Sequence, residues 1–73
     1  MKATLMPQYG AIAAHLRTMI QSGQLAPGDQ LPSIPEMKAQ YHVSYGTIRS
    51  AVLVLKAENL IVGAQGIGVF VAK

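Results

Sequence analysis

The sequence predicts a mainly α-helical domain of three helices that ends in a small antiparallel β-hairpin. Three observations indicate this fold. Apolar residues recur at three- and four-residue spacing in three stretches, a serine or proline precedes each stretch, and two short apolar segments near the C-terminus flank a turn with two glycines. The 73 residues suffice for one domain with one core. We expect residues 1–6 to form a flexible arm before the folded part.

The composition favours a polyanionic partner, although mildly. Six Lys and Arg residues against three acids give a net charge of +3. Because only 12% of the residues are charged and 51% are hydrophobic, we expect a partner or a second copy to cover some apolar surface. The absence of cysteine excludes disulfides and thiolate metal sites. We see no signal peptide and no bilayer-length apolar run, and we expect no membrane contact and a cytoplasmic location.

The first helix is predicted to begin near Pro7, a favoured first-turn residue, and to stop at Gly23 as a C-cap. We interpret His15 as a surface histidine rather than a metal ligand, since no second ligand lies at helical spacing from it. The apolar face of this helix is expected to comprise Tyr9, Ile12, Ala13, Leu16, Met19 and Ile20.

A turn, a capping box and a second helix follow. We expect Leu31 to lie on a short strand after the turn at residues 27–28. Ser33 and Glu36 then form a capping box, in which each side chain accepts from the other residue's free amide. The helix that they open is short, to about Gln40, and the turn at residues 41–43 leads into a third helix. Two helices joined by so short a turn are typical of a helix-turn-helix, although an αα-hairpin without nucleic acid stays an alternative.

The third helix, from Ser44 to about Asn59, has two distinct faces. Its buried stripe comprises Ile48, Ala51, Val52 and Leu55. The opposite side of its first two turns carries small, hydrogen-bonding or cationic groups, namely Tyr45, Gly46, Arg49 and Ser50. A helix N-terminus has partial positive charge and free amides that suit a phosphate. We therefore predict that the front of this helix contacts nucleic acid.

The C-terminal segment predicts a β-hairpin "wing". Strands are expected at residues 60–62 and 69–71, with a glycine-bearing turn over residues 64–68. The glycines allow positive φ at the tip and a close approach of the backbone to a phosphate. With the two preceding helices, this hairpin makes a winged helix-turn-helix, and a plain hairpin that only caps the core is the alternative.

Three runs of residues carry a resemblance to a known family. They are Leu25-x-Pro27-Gly28-Asp29-x-Leu31-Pro32-Ser33, Val43-Ser44-x-x-Thr47-Ile48-Arg49-x-Ala51-Val52, and Gly66-x-Gly68-x-Phe70-Val71. Through them, residues 7–72 resemble the DNA-binding domain of GntR-family transcription regulators. The resemblance implies a winged helix-turn-helix that binds operator DNA, usually as a dimer. The family's effector-sensing domain has no counterpart in these residues, so we expect no small-molecule effector.

The sequence departs from the family pattern at four places, where it has Tyr45 for an arginine, Ile34 and Pro35 for charged residues, Ile67 at the wing tip, and Leu53 and Val54 for polar groups. Because of these departures, we expect fewer cationic side chains to extend into the DNA groove. Affinity should be lower, or base reading more hydrophobic, for instance Tyr45 or Ile67 against thymine methyls.

The predicted DNA contacts of the third helix follow from its chemistry. Arg49 is the best candidate for a phosphate or a guanine. Ser44 and Thr47 are expected to hold backbone phosphate, and Tyr45 and Ser50 to face bases.

Contacts from the rest of the domain are also predicted. Gln65 and the amide of Gly66 are expected to touch the minor groove or its phosphates. Ser33 should give the second helix a phosphate contact through its N-terminal amides. Lys38 and Lys56 are interpreted as non-specific cations that could equally be only solvated.

The function predicted from these residues is sequence-specific binding of double-stranded DNA in transcriptional regulation, as a small repressor-type regulator of a mobile element or phage. We expect a homodimer on DNA, or another protein over an apolar patch at Leu53 and Val54. Two alternatives stay open: a protein-interaction module that uses the winged helix surface, and an accessory DNA-bending factor in recombination. No cofactor, metal site or enzymatic activity is expected, since no catalytic constellation is present and all three acids have structural explanations.

Overall fold

The computed structural model describes residues 8–64 and 66–73. Three helices, α1 (Gln8–Ser22), α2 (Ile34–Tyr41) and α3 (Tyr45–Ala57), precede two strands, β1 (Ile61–Ala64) and β2 (Gly68–Val71). This order confirms the predicted three helices and hairpin. The predicted arm over residues 1–6, the helix start at Pro7, and Gln65 lie outside the described residues.

One apolar cluster joins all the elements. Helix α1 lies against α3, α2 packs on the other part of α3, and β1 contacts the end of α3. The side chains with the least exposure are Met37, Ile48, Leu55 and Ile61. Each buried side chain of this size contributes roughly 1.5–3 kcal/mol to folding relative to an exposed one. The core therefore fixes the orientation of α3, which supplies the buried residues Ile48, Ala51, Val52 and Leu55.

Two predicted apolar positions differ from the structure. Tyr9 was expected on the buried face of α1, but it is 40% exposed because it lies in the first turn, before the first buried residue of the helix, Ile12. Val54 was expected on an exposed patch, but it is partly buried and packs against the core, since α3 has neighbours on two sides. Leu53 is exposed as predicted, at 54%.

The ends of the helices follow local chemistry. Gly23 has φ of 90° and follows α1, as predicted for a C-cap. Helix α3 ends at Ala57, two residues before the predicted end at Asn59, which takes the left-handed conformation with φ of 62°. The N-caps of α2 and α3 are Ser33 and Ser44, both as predicted.

The hairpin is extended by a third segment. Within the hairpin, Ile61 of β1 pairs with Val71 of β2, and Ala64 pairs with Gly68. The expected short strand near Leu31 appears as one bridge between Gln30 and Phe70. The amide of Leu31 also donates to the carbonyl of Val69 at 2.8 Å. We call residues 61–71 the wing, and this segment holds the wing from the β2 side.

Candidate nucleic-acid interface

A left-handed residue makes the corner between α2 and α3. His42 caps α2 with φ of 56° and ψ of 47°. The amide of Val43 donates to the carbonyl of Lys38 at 3.3 Å, and the Val43 side chain packs against the core. Ser44 follows immediately as the N-cap of α3. The short corner therefore projects the N-terminus of α3 out of the domain, as a helix-turn-helix requires.

The N-terminus of α3 is capped on one side and open on the other. The Ser44 hydroxyl accepts from the amide of Thr47 at 3.2 Å and lies 3.0 Å from the Thr47 hydroxyl. If the Thr47 hydroxyl donates in that pair, the Ser44 hydroxyl keeps its own hydrogen free to donate to an anion. The first turn has no acidic residue. Among the described residues, the amides of Tyr45 and Gly46 have no hydrogen-bond partner. This end is therefore suited to a phosphate oxygen.

Residues at positions 45, 46, 49, 53 and 56 share one side of α3 because they recur at helical spacing. We call this set the recognition face; it comprises Tyr45, Gly46, Arg49, Leu53 and Lys56. All five are exposed, with Tyr45 at 49% and Leu53 at 54%. Within residues 8–64 and 66–73, no carboxylate pairs with Arg49. The recognition face therefore presents one guanidinium, one ammonium and two apolar groups.

The two remaining candidates on α3 lie at the margins of that face. Thr47 and Ser50 are half-buried. The Thr47 hydroxyl is hydrogen-bonded to the Ser44 hydroxyl, so the predicted phosphate contact of Thr47 would involve both hydroxyl groups. Both assignments stay predictions.

The N-terminus of α2 is closed by its own carboxylate. The amide of Ser33 donates to Glu36 Oε1 at 2.8 Å, and the amide of Glu36 donates to Ser33 Oγ at 3.2 Å. The hydrogen bond from the Ser33 amide holds the pKa of the Glu36 carboxyl below its ordinary value. Pro35 has no amide hydrogen, so Ile34 supplies the one amide of this end that the cap leaves available. A phosphate contact by Ser33 stays a prediction, now through its hydroxyl and the Ile34 amide.

A glutamine that the sequence did not single out holds the wing tip. Gln30 Nε2 donates to the carbonyl oxygen of Ile67 at 3.1 Å. Ile67 itself is 68% exposed. A concavity of about 330 Å³ separates the tip from the start of α2 and from Tyr45. Gly66 is exposed beside the tip, while the predicted contact by Gln65 lies outside the described residues. The wing tip thus borders the recognition face.

An ion pair neutralises one of the cations that DNA could otherwise contact. Arg17 donates to both carboxylate oxygens of Glu58, at 2.8 and 2.7 Å. The hydrogen bonds raise the pKa of Arg17 and lower the pKa of Glu58. The carboxylate of Asp29 accepts from the amide of Ala26 at 2.9 Å. With Glu36 in its cap, every acid of the sequence has an internal partner, and none lies on the recognition face.

His15 is a surface residue, as predicted. Its Nδ1 lies 2.7 Å from the hydroxyl of Tyr41, and the two rings meet edge to face at 5.7 Å. This contact joins α1 to the end of α2. The described part of the chain contains no group of three or more His, Cys, Asp or Glu side chains placed to hold a metal ion. It also contains no helix long and apolar enough to span a membrane.

Comparison with known proteins decides the family. The model for bacterial regulatory proteins of the gntR family matches residues 8–71. This chain belongs to that family. The expected resemblance is therefore confirmed, and the match includes α1, the helix-turn-helix and the wing.

The chain resembles curated transcription regulators that are much longer than it is. The chain is 37% identical over 68 residues to the HTH-type transcriptional regulator YydK of Bacillus subtilis, covering 93% of this chain and 29% of YydK. It is 38% identical over 72 residues to the HTH-type transcriptional repressor NagR of Bacillus subtilis, covering 99% of this chain and 30% of NagR. The chain thus spans less than a third of either relative.

Solved structures give the same fold. The DNA-binding domain of AraR in complex with operator ORR3 superimposes with a TM-score of 0.93 at 30% identity, covering 99% of this chain and 87% of that one. YydK from Bacillus subtilis superimposes with a TM-score of 0.84 at 37% identity, covering 93% of this chain and 30% of that one. The winged helix-turn-helix prediction is confirmed.

Proposed function

We propose that this chain binds double-stranded operator DNA sequence-specifically and represses transcription. The observation that carries the proposal is the N-terminus of α3, which combines unshared amides, no acid in its first turn, and an unpaired Arg49 one turn later within the described residues. The AraR domain, which shares 30% identity with this chain, has been crystallised with its operator, and this supports the same partner class here.

In the proposed complex, α3 enters the major groove. Arg49 donates to a guanine edge or to a phosphate, and the Ser44 hydroxyl and nearby amides hold a phosphate at the start of the helix. Tyr45 supplies an apolar contact for a thymine methyl. The wing tip, with Ile67 exposed, lies over the adjacent backbone and minor groove. The predicted base contact by Ser50 and the minor-groove contacts by Gln65 and Gly66 belong to this proposal.

We also propose a homodimer on DNA. A single recognition face offers two cations, and each neutralised phosphate contributes about 0.9 to the salt slope, so one copy alone should bind weakly. Two copies would place half-sites on the order of 34 Å apart. Leu53 shares its face with Arg49, so a second copy that covered Leu53 would also cover the guanidinium. The dimer contact therefore lies on another surface.

The test is selection from a random duplex pool, followed by a salt titration on the winning sequences. We expect enrichment of one motif in two copies and an affinity that falls steeply with salt. Arg49→Gln should cost roughly 1–3 kcal/mol of binding free energy and relax the preference at one base pair if it contacts guanine. Lys38→Gln is the matched control, since it removes one exposed charge from α2. Equal weak binding of every sequence would contradict the proposal.

A second candidate is a protein-binding module. The observation in its favour is that three large apolar side chains are exposed at the recognition face and wing tip, namely Tyr45, Leu53 and Ile67. The two functions differ in their dependence on charge. If a triple variant with Lys38, Arg49 and Lys56 all changed to Gln retained full regulatory activity, the DNA proposal would be overturned. The mobile-element or phage setting stays a prediction from the sequence.

A further inference from the structure

Lys56 is the last cation on the recognition face, and its side chain has a defined place. A Cβ built on Gly63 of β1 would lie 3.0 Å from Lys56 Nζ and 3.3 Å from Lys56 Cε. The ammonium group therefore rests over the bare backbone of β1, and a side chain at position 63 would require the flexible end of Lys56 to shift. Lys38, by contrast, is an exposed side chain of α2 for which the structure gives no side-chain partner.

A groove of about 510 Å³ lies between the end of α3 and the wing. Lys56 forms one wall, and the other is largely backbone, because it contains Gly63, Gly66 and Gly68. We call this space the glycine groove. Glycine walls let a bulky group approach the main chain closely. The groove is therefore open to a sugar-phosphate strand, and it has a cation at its side.

The electrostatics of the glycine groove favour an anion. Within the described residues, no carboxylate lies within ion-pair distance of Lys56. None of the residues that line the groove is acidic. Arg49 lies seven residues before Lys56 on the same face, which is about 10 Å along the helix axis. The two cations are thus spaced for separate phosphates, one near the start of α3 and one beside the wing.

We propose that Lys56 and the glycine groove form a binding site for one phosphate of the DNA backbone, on the strand that passes between α3 and the wing. The inference rests on the proposed function and extends it. It makes Lys56 a specific backbone contact rather than a solvated cation. The ammonium group supplies a compact charge, and Gly63 keeps the position open for it. Because phosphate is common to every sequence, this site contributes affinity without base preference.

The first experiment compares Lys56→Gln with Lys38→Gln on the selected duplex over a salt series. Loss of one phosphate contact should lower the slope of log affinity against log salt by about one unit, and should weaken all sequences alike. We expect that change for Lys56→Gln and a clearly smaller one for Lys38→Gln. Equal slopes for the two variants would overturn the proposal while leaving the DNA-binding function intact.

The second experiment moves the ammonium without removing its charge. Gly63 has no positive φ, so Gly63→Val suits its strand and fills the space beside Lys56. We expect Gly63→Val to weaken binding in the parent and to have little further effect in Lys56→Gln, a non-additivity typical of two groups in one site. An equal loss in both backgrounds would indicate a clash with DNA and overturn the proposal. If the parent binds no duplex at all, the site and the proposed function both fail.

Discussion

Helices α2 and α3 begin with the same kind of N-cap, yet in α2 a carboxylate returns to the amide of the capping serine and in α3 none of the described carboxylates does. Ser33 and Ser44 both have extended backbone, with φ and ψ of −65° and 162° in one and −77° and 162° in the other. In α2 the third residue of the helix is Glu36, whose carboxylate returns to the cap. In α3 the same position is Thr47, which leaves the end without a negative charge.

This difference has opposite consequences for the stability of a helix and for its ability to bind an anion. A carboxylate at a helix N-terminus interacts favourably with the macrodipole and satisfies a free amide, so it stabilises the helix. It also takes the place that an external anion would use. The α2 end is therefore neutralised by its own carboxylate, while the α3 end keeps the positive potential that the proposed phosphate contact would use. Changes to either helix end, or to the charge of its carboxylate, test this contrast.

The largest effect is expected from Thr47→Glu, which gives α3 the capping box of α2. The new carboxylate should reach back to the amide of Ser44 and preserve or raise the thermal stability of the domain. It should also repel the phosphate, and we expect DNA affinity to fall at least about tenfold, or roughly 1.4 kcal/mol. Fluorescence anisotropy with the selected duplex and a thermal melt measure the two effects. Unchanged affinity would show that no phosphate sits at this end.

An intermediate effect is expected from Ser33→Ala, which breaks the cap of α2. Loss of an N-cap costs about 1 kcal/mol of folding free energy, which lowers the melting temperature by roughly 4–8 °C in a domain of this size. DNA affinity of the folded variant should change much less than for Thr47→Glu. Ser22→Ala is the matched control, since the Ser22 hydroxyl bonds only the carbonyl of Met19 and caps no N-terminus. If Ser33→Ala lost more binding free energy than folding free energy, the roles assigned to the ends of α2 and α3 would be contradicted.

The smallest effect is expected from pH. The pKa values of Glu36 and Glu58 are both lowered in the folded state, by the hydrogen bonds from Ser33 and Arg17 respectively. Their stabilisation is therefore fully present above the ordinary carboxyl pKa near 4.5 and is lost as pH falls through the lowered values. Because both groups are at the surface, the change should be modest.

Denaturant unfolding between about pH 2 and 7, a window that contains both the ordinary carboxyl pKa of roughly 4 and lower values, measures this dependence. Glu36→Gln keeps the capping hydrogen bond and removes the titration, so its stability should vary less with pH than that of the parent. A pH dependence in Glu36→Gln as strong as that of the parent would contradict the assignment.

Local chemistry explains what the sequence could predict. Each N-cap depends on residues no more than three positions apart, so Ser33 with Glu36 and the start of α3 at Ser44 were predictable. Helical spacing also predicted Tyr45, Gly46 and Arg49 on one exposed side of α3, whereas Ser50, predicted with them, is half-buried, and Leu53 and Lys56 were not predicted as part of that side. The interior of each apolar stripe was also predicted, since a central position is buried whatever packs against it.

Contacts between distant parts of the chain explain the rest. Gln30 and Ile67 are 37 positions apart, and Arg17 and Glu58 are 41 apart, so neither hydrogen bond has a sequence signal. The burial of Val54 depends on which helices lie beside α3 and could not be derived from its own periodicity. The same holds for Lys56 over Gly63, which needs the hairpin to fold back along α3.

We expect the uncapped amides of α3 to receive a DNA phosphate, and the amides of Ser33 and Glu36, which the α2 cap engages, not to do so. Amide NMR spectra of the parent, titrated with the selected duplex, test it directly because they report on each N–H group separately. We expect large shifts for the amides of Tyr45 and Gly46, and small shifts for those of Ser33 and Glu36. Shifts of the opposite pattern, or equal shifts at both helix ends, would contradict it.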